Sequence, residues 1–82
     1  KALASIYPTL ISDGFVRVQL NAPSFYQYFE LIDMNGRQLL KADLSKQTGT
    51  RTIVLNPNLA TGMYVAKVSS NLGVTVQKVY IQ

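Results

Sequence analysis

The sequence predicts an all-β domain, an immunoglobulin-like β-sandwich of about seven antiparallel strands. Apolar and polar residues alternate with a period of two, and no helical period is sustained. Turn residues recur between the alternating runs, at Asp13-Gly14, Asp33-Met34-Asn35-Gly36, Asn56-Pro57-Asn58 and Asn71-Leu72-Gly73. The chain has 82 residues, enough for one domain spanning residues 1–82 around one core. A chain this short buries only about 60–65% of its extended-chain surface, so its stability is modest.

The first residue is Lys1, not Met, so the chain reads as the C-terminal piece of a longer protein, with Lys1–Ser5 a linker remnant. Ile6-Tyr7 makes a short first strand that Pro8 confines to an edge or an end. From Phe15 to Leu20, Val16, Val18 and Leu20 point inward while Arg17 and Gln19 point outward, with Phe15 the apolar exception on the outer face. Gln27 to Asp33 is apolar on both faces, Phe29 and Leu31 against Tyr28 and Ile32, as a central or doubly covered strand reads. Asn35-Gly36 supplies the positive φ angles of a type I′ turn, so this strand should pair with Arg37–Leu44, whose Leu40, Ala42 and Leu44 share a face.

Ser45 to Gly49 reads as a loop and Thr50 to Leu55 as a strand with Ile53 and Leu55 inward. Asn56-Pro57-Asn58 ends it, because proline cannot donate to a ladder. Leu59 should plug the core from the connection, and Gly62 should mark a place a side chain would hinder. Gly62 to Ser69 places Tyr64, Ala66 and Val68 on one face. Ser70-Asn71-Leu72-Gly73 fits a short hairpin loop into the last strand, Val74 to Ile81. There Val74, Val76 and Tyr80 lie on one side and Val79 and Ile81 on the other, which a bulge near Gln77-Lys78 would reconcile.

Composition narrows the chemistry. Charged residues make up 15% and hydrophobic residues 48%, which argues against disorder. No apolar run approaches the roughly 20 residues of a transmembrane helix. The absence of cysteine excludes disulfides and thiolate chemistry, and the absence of histidine removes the commonest general base and metal ligand. The net charge is +4, with Arg17, Arg37, Lys41, Lys46, Arg51, Lys67 and Lys78 scattered as on a solvated surface and not clustered as for nucleic acid.

The only acids are Asp13, Glu30, Asp33 and Asp43. Asp33 and Asp13 sit at turns, where a carboxylate caps its own backbone. Nothing suggests a converging catalytic pair, the hydroxyls have no base beside them, and the Asp33–Gly36 segment lacks the further acids of a calcium loop. The sequence therefore points to no catalytic residue, no metal and no cofactor. Phe25, Tyr26 and Tyr28 cluster after Pro23-Ser24; their first reading is cover for one end of the core, their second a contact surface for sugar or protein. Tyr64 fits the tyrosine corner of immunoglobulin-like domains, whose hydroxyl ties down the chain before a strand.

Four segments in order resemble one family. Ile6-Tyr7-Pro8, Asp33-Met34-Asn35-Gly36, Leu59-Ala60-Thr61-Gly62-Met63-Tyr64 through Val68, and Lys78-Val79-Tyr80-Ile81 are similar to the C-terminal sorting domain of cargo of the type IX (Por) secretion system of Bacteroidetes. The likeness covers nearly the whole chain. It departs at Thr9-Leu10, where the family often has Asn-Pro, a turn preference, and at Gln82, where a basic residue is common.

The resemblance implies a non-catalytic export signal on a larger protein that crosses the periplasm. An outer-membrane translocon would read it, and in many members a sortase-like protease then cuts ahead of the domain and attaches the cargo to anionic lipopolysaccharide at the cell surface. The recognition surface expected on this reading is the terminal hairpin: Gly62, Tyr64, Val65, Lys67 and Val68 with Lys78, Val79, Tyr80, Ile81 and Gln82, its last strand at a sheet edge. Asp33, Asn35, Gly36, Asn71 and Gly73 are expected to shape turns. Two rival readings stay open, an accessory module binding carbohydrate or protein through the aromatic cluster, and a structural spacer. An exposed edge strand would also favour dimerisation.

Overall fold

A computed structural model of the chain describes residues 3–82. It contains β1 (Ala4–Tyr7), β2 (Leu10–Ile11), β3 (Phe15–Leu20), β4 (Gln27–Asp33), β5 (Gln38–Asp43), β6 (Gly49–Val54), β7 (Gly62–Ser70) and β8 (Gly73–Ile81). Two sheets form the sandwich, one of three strands in the order β1-β3-β6 and one of five in the order β2-β8-β7-β4-β5. No helix among the described residues is long and apolar enough to cross a membrane.

Period-two patterning places the core. Val16, Val18, Leu20, Ile53 and Leu55, with Ala4 and Ile6, come from the smaller sheet and its ends. They meet Phe29, Leu31, Tyr64, Ala66, Val68, Val79, Ile81 and Ile11 of the larger sheet in one buried cluster. Leu44 closes it from the end of β5, and Leu59 packs against it from the β6–β7 connection, as its apolar character among polar neighbours predicted. β4 lies between β7 and β5, which explains why it is apolar on both faces.

Four local expectations need correction. An eighth strand, β2, joins the end of β8 in parallel, Leu10 beside Tyr80 and Ile11 beside Ile81; every other pairing is antiparallel. Ala4 and Ser5, expected in a linker remnant, form the first half of β1, and Ala4 is buried; Lys1 and Ala2 lie outside the described residues. β8 carries no bulge, because its register with β7 runs unbroken from Gly62–Ile81 to Ser70–Gly73. The bulge lies in β5 instead, where Leu39 is unmatched between the pairs Leu31–Leu40 and Ile32–Gln38.

The β4–β5 turn also differs from the type I′ form. Gly36 has a φ of 87°, but Asn35 does not take positive φ. The Gly36 N–H donates to the Asp33 carbonyl and the Asp33 N–H to the Arg37 carbonyl, each at 3.0 Å, so three residues, Met34-Asn35-Gly36, make the loop. The Asp33 carboxylate selects this form: its Oδ1 accepts from the N–H groups of Asn35 at 3.0 Å and Arg37 at 2.9 Å. The Arg37 side chain adds a bond to Oδ2 at 3.2 Å. The bond from the Arg37 backbone, followed by that from Asn35 and the Arg37 side chain, holds the Asp33 carboxyl below its usual value of 3.8.

Two predictions follow from this architecture. Phe29 is fully buried, so Phe29→Ala should cost about 3–5 kcal/mol, most of the stability of so small a domain, seen as loss of a cooperative urea transition. The depressed Asp33 carboxyl contributes stability above its unfolded value, and that stability is lost as pH falls through the lower folded value. Asp33→Asn keeps an acceptor oxygen in place, so it should shrink the fall in urea midpoint between pH 5 and pH 2.5 (chosen to bracket the usual carboxylate range of about 4); an unchanged fall would remove Asp33 from the acid response.

Candidate functional site

The terminal hairpin is built from β7 and β8, and alternation sorts its side chains into two sets. Tyr64, Val68, Val79 and Ile81 face the core and are buried, so these four expected recognition residues are not on the surface. Val65 and Lys67 are half-buried on the outer face, while Lys78, Tyr80 and Gln82 are exposed. Across the outer face, Val65 stands beside Lys78, Met63 beside Tyr80, and Lys67 beside Val76.

The charge on Lys67 is matched. Its Nζ lies 3.7 Å from Glu30 on the neighbouring strand, with Glu30 only 14% exposed. Lys78 has no ion pair among the described residues. Around it, Val74, Val76, Met63, Leu10 and Tyr80 expose apolar surface, the two valines at 59% and 58%. Exposed apolar side chains gathered on one face of a small domain make that face a candidate contact surface.

The backbone of β8 is half paired on its outer side. The Tyr80 N–H donates to the Thr9 carbonyl at 2.7 Å and the Gln82 N–H to the Ile11 carbonyl at 2.9 Å. Strand alternation turns the polar groups of Val74, Val76 and Lys78 the same way, and no described strand pairs with them there. The expected edge is therefore confined to Val74–Lys78, since β2 covers the end of β8. Gln77 Nε2 donates to the Lys78 carbonyl at 2.9 Å and satisfies one group of this edge. Thr9 and Leu10, which replace Asn-Pro, lie at the β2 junction. The bonds to β8 use the carbonyls of Thr9 and Ile11, so a proline at position 10 would cost neither.

Tyr64 does what its position predicts. Its hydroxyl donates to the Ala60 carbonyl at 2.5 Å and ties the connection to the start of β7. Gly62 differs from expectation: a Cβ there would meet open space, and glycine is favoured by its φ of 151°. The crowded position is Gly73, where a Cβ would lie 2.8 Å from Leu3 Cδ1. Asn71, at the tip of the same hairpin, donates its N–H to the Tyr26 carbonyl at 3.2 Å, and the Ser24 hydroxyl donates to its Oδ1.

The acids do not converge on one another. Asp13 pairs with Arg17 at 3.7 Å and accepts from the Phe15 N–H, Glu30 faces Lys67, and Asp33 caps its turn. The aromatic cluster is not core cover: Phe25 is 83% and Tyr26 53% exposed, and only Tyr28 is half-buried. Sequence reasoning missed Gln27 as a structural anchor. It is buried, and its Nε2 donates to the carbonyls of Leu44 at 3.1 Å and Gln47 at 3.2 Å, pinning the β5–β6 loop. A polar residue opening an apolar strand was the available signal.

The two-sheet arrangement defines an immunoglobulin-like β-sandwich, a class shared with the solved structure of a "Biofilm associated protein - BSP domain". That likeness has a TM-score of 0.68 at 22% identity, covers 96% of this chain and 15% of that one, and shows the fold alone. No curated protein matches the sequence. Residues 5–82 match the family described as "Secretion system C-terminal sorting domain", and the chain belongs to that family, the C-terminal secretion signals of type IX secretion. The family implies interaction with the type IX machinery and export to the cell surface or extracellular space.

If Tyr64 serves the fold alone, Tyr64→Phe should lower the thermal midpoint by about 4–8 °C, the shift expected for loss of about 1 kcal/mol. Export of a reporter carrying the variant should persist at a temperature where the variant remains folded. Lost export at full stability would instead give the hydroxyl a recognition role.

Proposed function

We propose that the outer-membrane translocon of type IX secretion reads this domain at the unpaired stretch of β8 and the apolar outer face beside it, after transit through the periplasm. The observation that carries this reading is the coincidence of Val74–Lys78 as an open edge with exposed Val74, Val76, Lys78 and Tyr80. An open edge offers main-chain pairing, and alternate side chains beside it supply specificity. Lys78 adds a positive charge with no ion pair among the described residues.

In this reading Gly62, Tyr64, Val68, Val79 and Ile81 hold the surface in shape, while Val65, Lys67, Lys78, Tyr80 and Gln82 border the contact. The domain itself catalyses nothing. A sortase-like protease of the same system acts ahead of it and attaches the cargo at the cell surface. The same open edge would pair two isolated domains at high concentration, and the translocon would compete with that dimer.

Burial shows how to test this. Deleting residues 78–82 removes Val79 and Ile81 from the core, so it would abolish the fold along with the surface. Val76→Asp combined with Lys78→Glu changes only exposed groups and should leave circular dichroism and thermal midpoint nearly unchanged. Fused to a periplasmic reporter in a type IX-competent host, the double variant should leave the reporter in the periplasm while the parent domain brings it to the surface. Surface delivery equal to that of the parent would overturn the assignment of this edge.

A further inference from the structure

Toward the β5 edge of the larger sheet, on the same outer face as the exposed residues of β8, a cavity of about 370 Å³ is lined by Tyr26, Tyr28, Lys41, Asp43 and Ser45. We infer that this cavity, with its neighbour along Phe25, is a binding site for a neutral oligosaccharide. The first cavity is set off from the β8 edge by β7, while its neighbour reaches the β7–β8 turn at Asn71 and Leu72.

The chemistry of the lining selects the ligand. Tyr26 and Tyr28 meet edge to face, with ring centroids 5.0 Å apart and planes at 69°. Lys41 Nζ sits 4.2 Å from the Tyr28 centroid and occupies that ring, which leaves Tyr26 as the ring with open surface. Lys41 and Asp43 alternate on β5 and so project to the same face. The Ser45 side chain and then its backbone N–H, at 2.9 Å, keep the Asp43 carboxyl below its usual value, as an ionised acceptor. One ammonium donor and one carboxylate acceptor stand in one cavity. The carboxylate disfavours an anion and the ammonium disfavours a cation. A pyranose ring satisfies all three features: an apolar C–H face for the tyrosine, hydroxyls for Lys41, and hydroxyls for Asp43. The volume lies within the range of about 300–1,000 Å³ usual for small-molecule sites.

Two further features support an oligosaccharide over a single sugar. A second cavity, of about 350 Å³, is lined by residues that include Phe25, Ser24, Lys46 and Asn71. Consecutive residues Phe25 and Tyr26 thus present one exposed ring to each cavity, at a cost in apolar exposure that the core does not recover. The floor is also fixed in advance. Buried Gln27 holds the Leu44 and Gln47 carbonyls, and its backbone N–H donates to Ser45 Oγ at 3.2 Å. A ligand entering here orders little new chain.

The test titrates the 82-residue chain, labelled with ¹⁵N, with maltotriose, cellotriose and triacetylchitotriose, and with trigalacturonate as the anionic comparison. At least one neutral trisaccharide should give saturable amide shifts at Tyr26, Tyr28, Lys41, Asp43 and Ser45, extending to Phe25. Tyr26→Ala should weaken that binding about tenfold or more with amide dispersion otherwise unchanged, while Val76→Asp should not affect it. The inference is overturned if no neutral sugar gives saturable shifts up to roughly 10 mM, a very weak limit. It is equally overturned if the shifts map away from this cavity, if Tyr26→Ala binds as the parent does, or if trigalacturonate binds more tightly than every neutral sugar.

Discussion

Packing of one sheet's inner face on the other is the constraint on which everything else rests. Phe29, Leu31, Val16 and Val18 are fully buried in one cluster, and the cysteine-free chain has no covalent staple to add to it. A domain of this size keeps few kilocalories in reserve, so each strand must deliver its apolar set to the inner face without slipping. The unbroken β7–β8 register and the doubly paired β4 meet that demand at the centre of the larger sheet. At the periphery, capped turns do the same work: Asp33 sets the β4–β5 loop, Tyr64 the entry to β7, and Gln27 the β5–β6 loop.

The register that fills the core also fixes what the outer face displays. Once Val79 and Ile81 are buried, Val74, Val76, Lys78 and Tyr80 have to face outward. Three apolar or aromatic side chains, Val74, Val76 and Tyr80, could have been turned inward by a slip of one residue, and pairing with β7 along its whole length prevents it. β2 then covers the end of β8 and leaves the middle unpaired. Stability and display are thus two consequences of a single register.

Much of this was legible in the sequence. Alternation located the long strands to within a residue at most ends, because each buries one face or sits centrally. The tyrosine corner and Leu59 were legible because a lone large side chain in a polar connection needs the core. β2 was not, since two residues between Pro8 and Gly14 carry no period and owe their strand to the Tyr80 and Gln82 N–H groups beside them. The expected bulge in β8 failed for another reason: alternation assumes that apolar side chains seek the core, and on this outer face Val74 and Val76 do not. Phe25 and Tyr26 failed the same assumption. Both sets of misplaced apolar residues lie on the two surfaces at which binding is proposed.

A folded signal of this design carries information that its linear sequence lacks. In an extended chain, Val74 through Gln82 would present both sets of side chains to any reader. In the sandwich, the core removes Val79 and Ile81 and leaves one set, at fixed spacing along an edge that has main-chain groups to offer. A reader that pairs with this edge therefore senses the integrity of the whole core, because loss of packing around Phe29 or Tyr64 dissolves the register that separates the two sets. Under the proposed assignment, recognition of the terminal strand is also a check that the domain bearing it has folded.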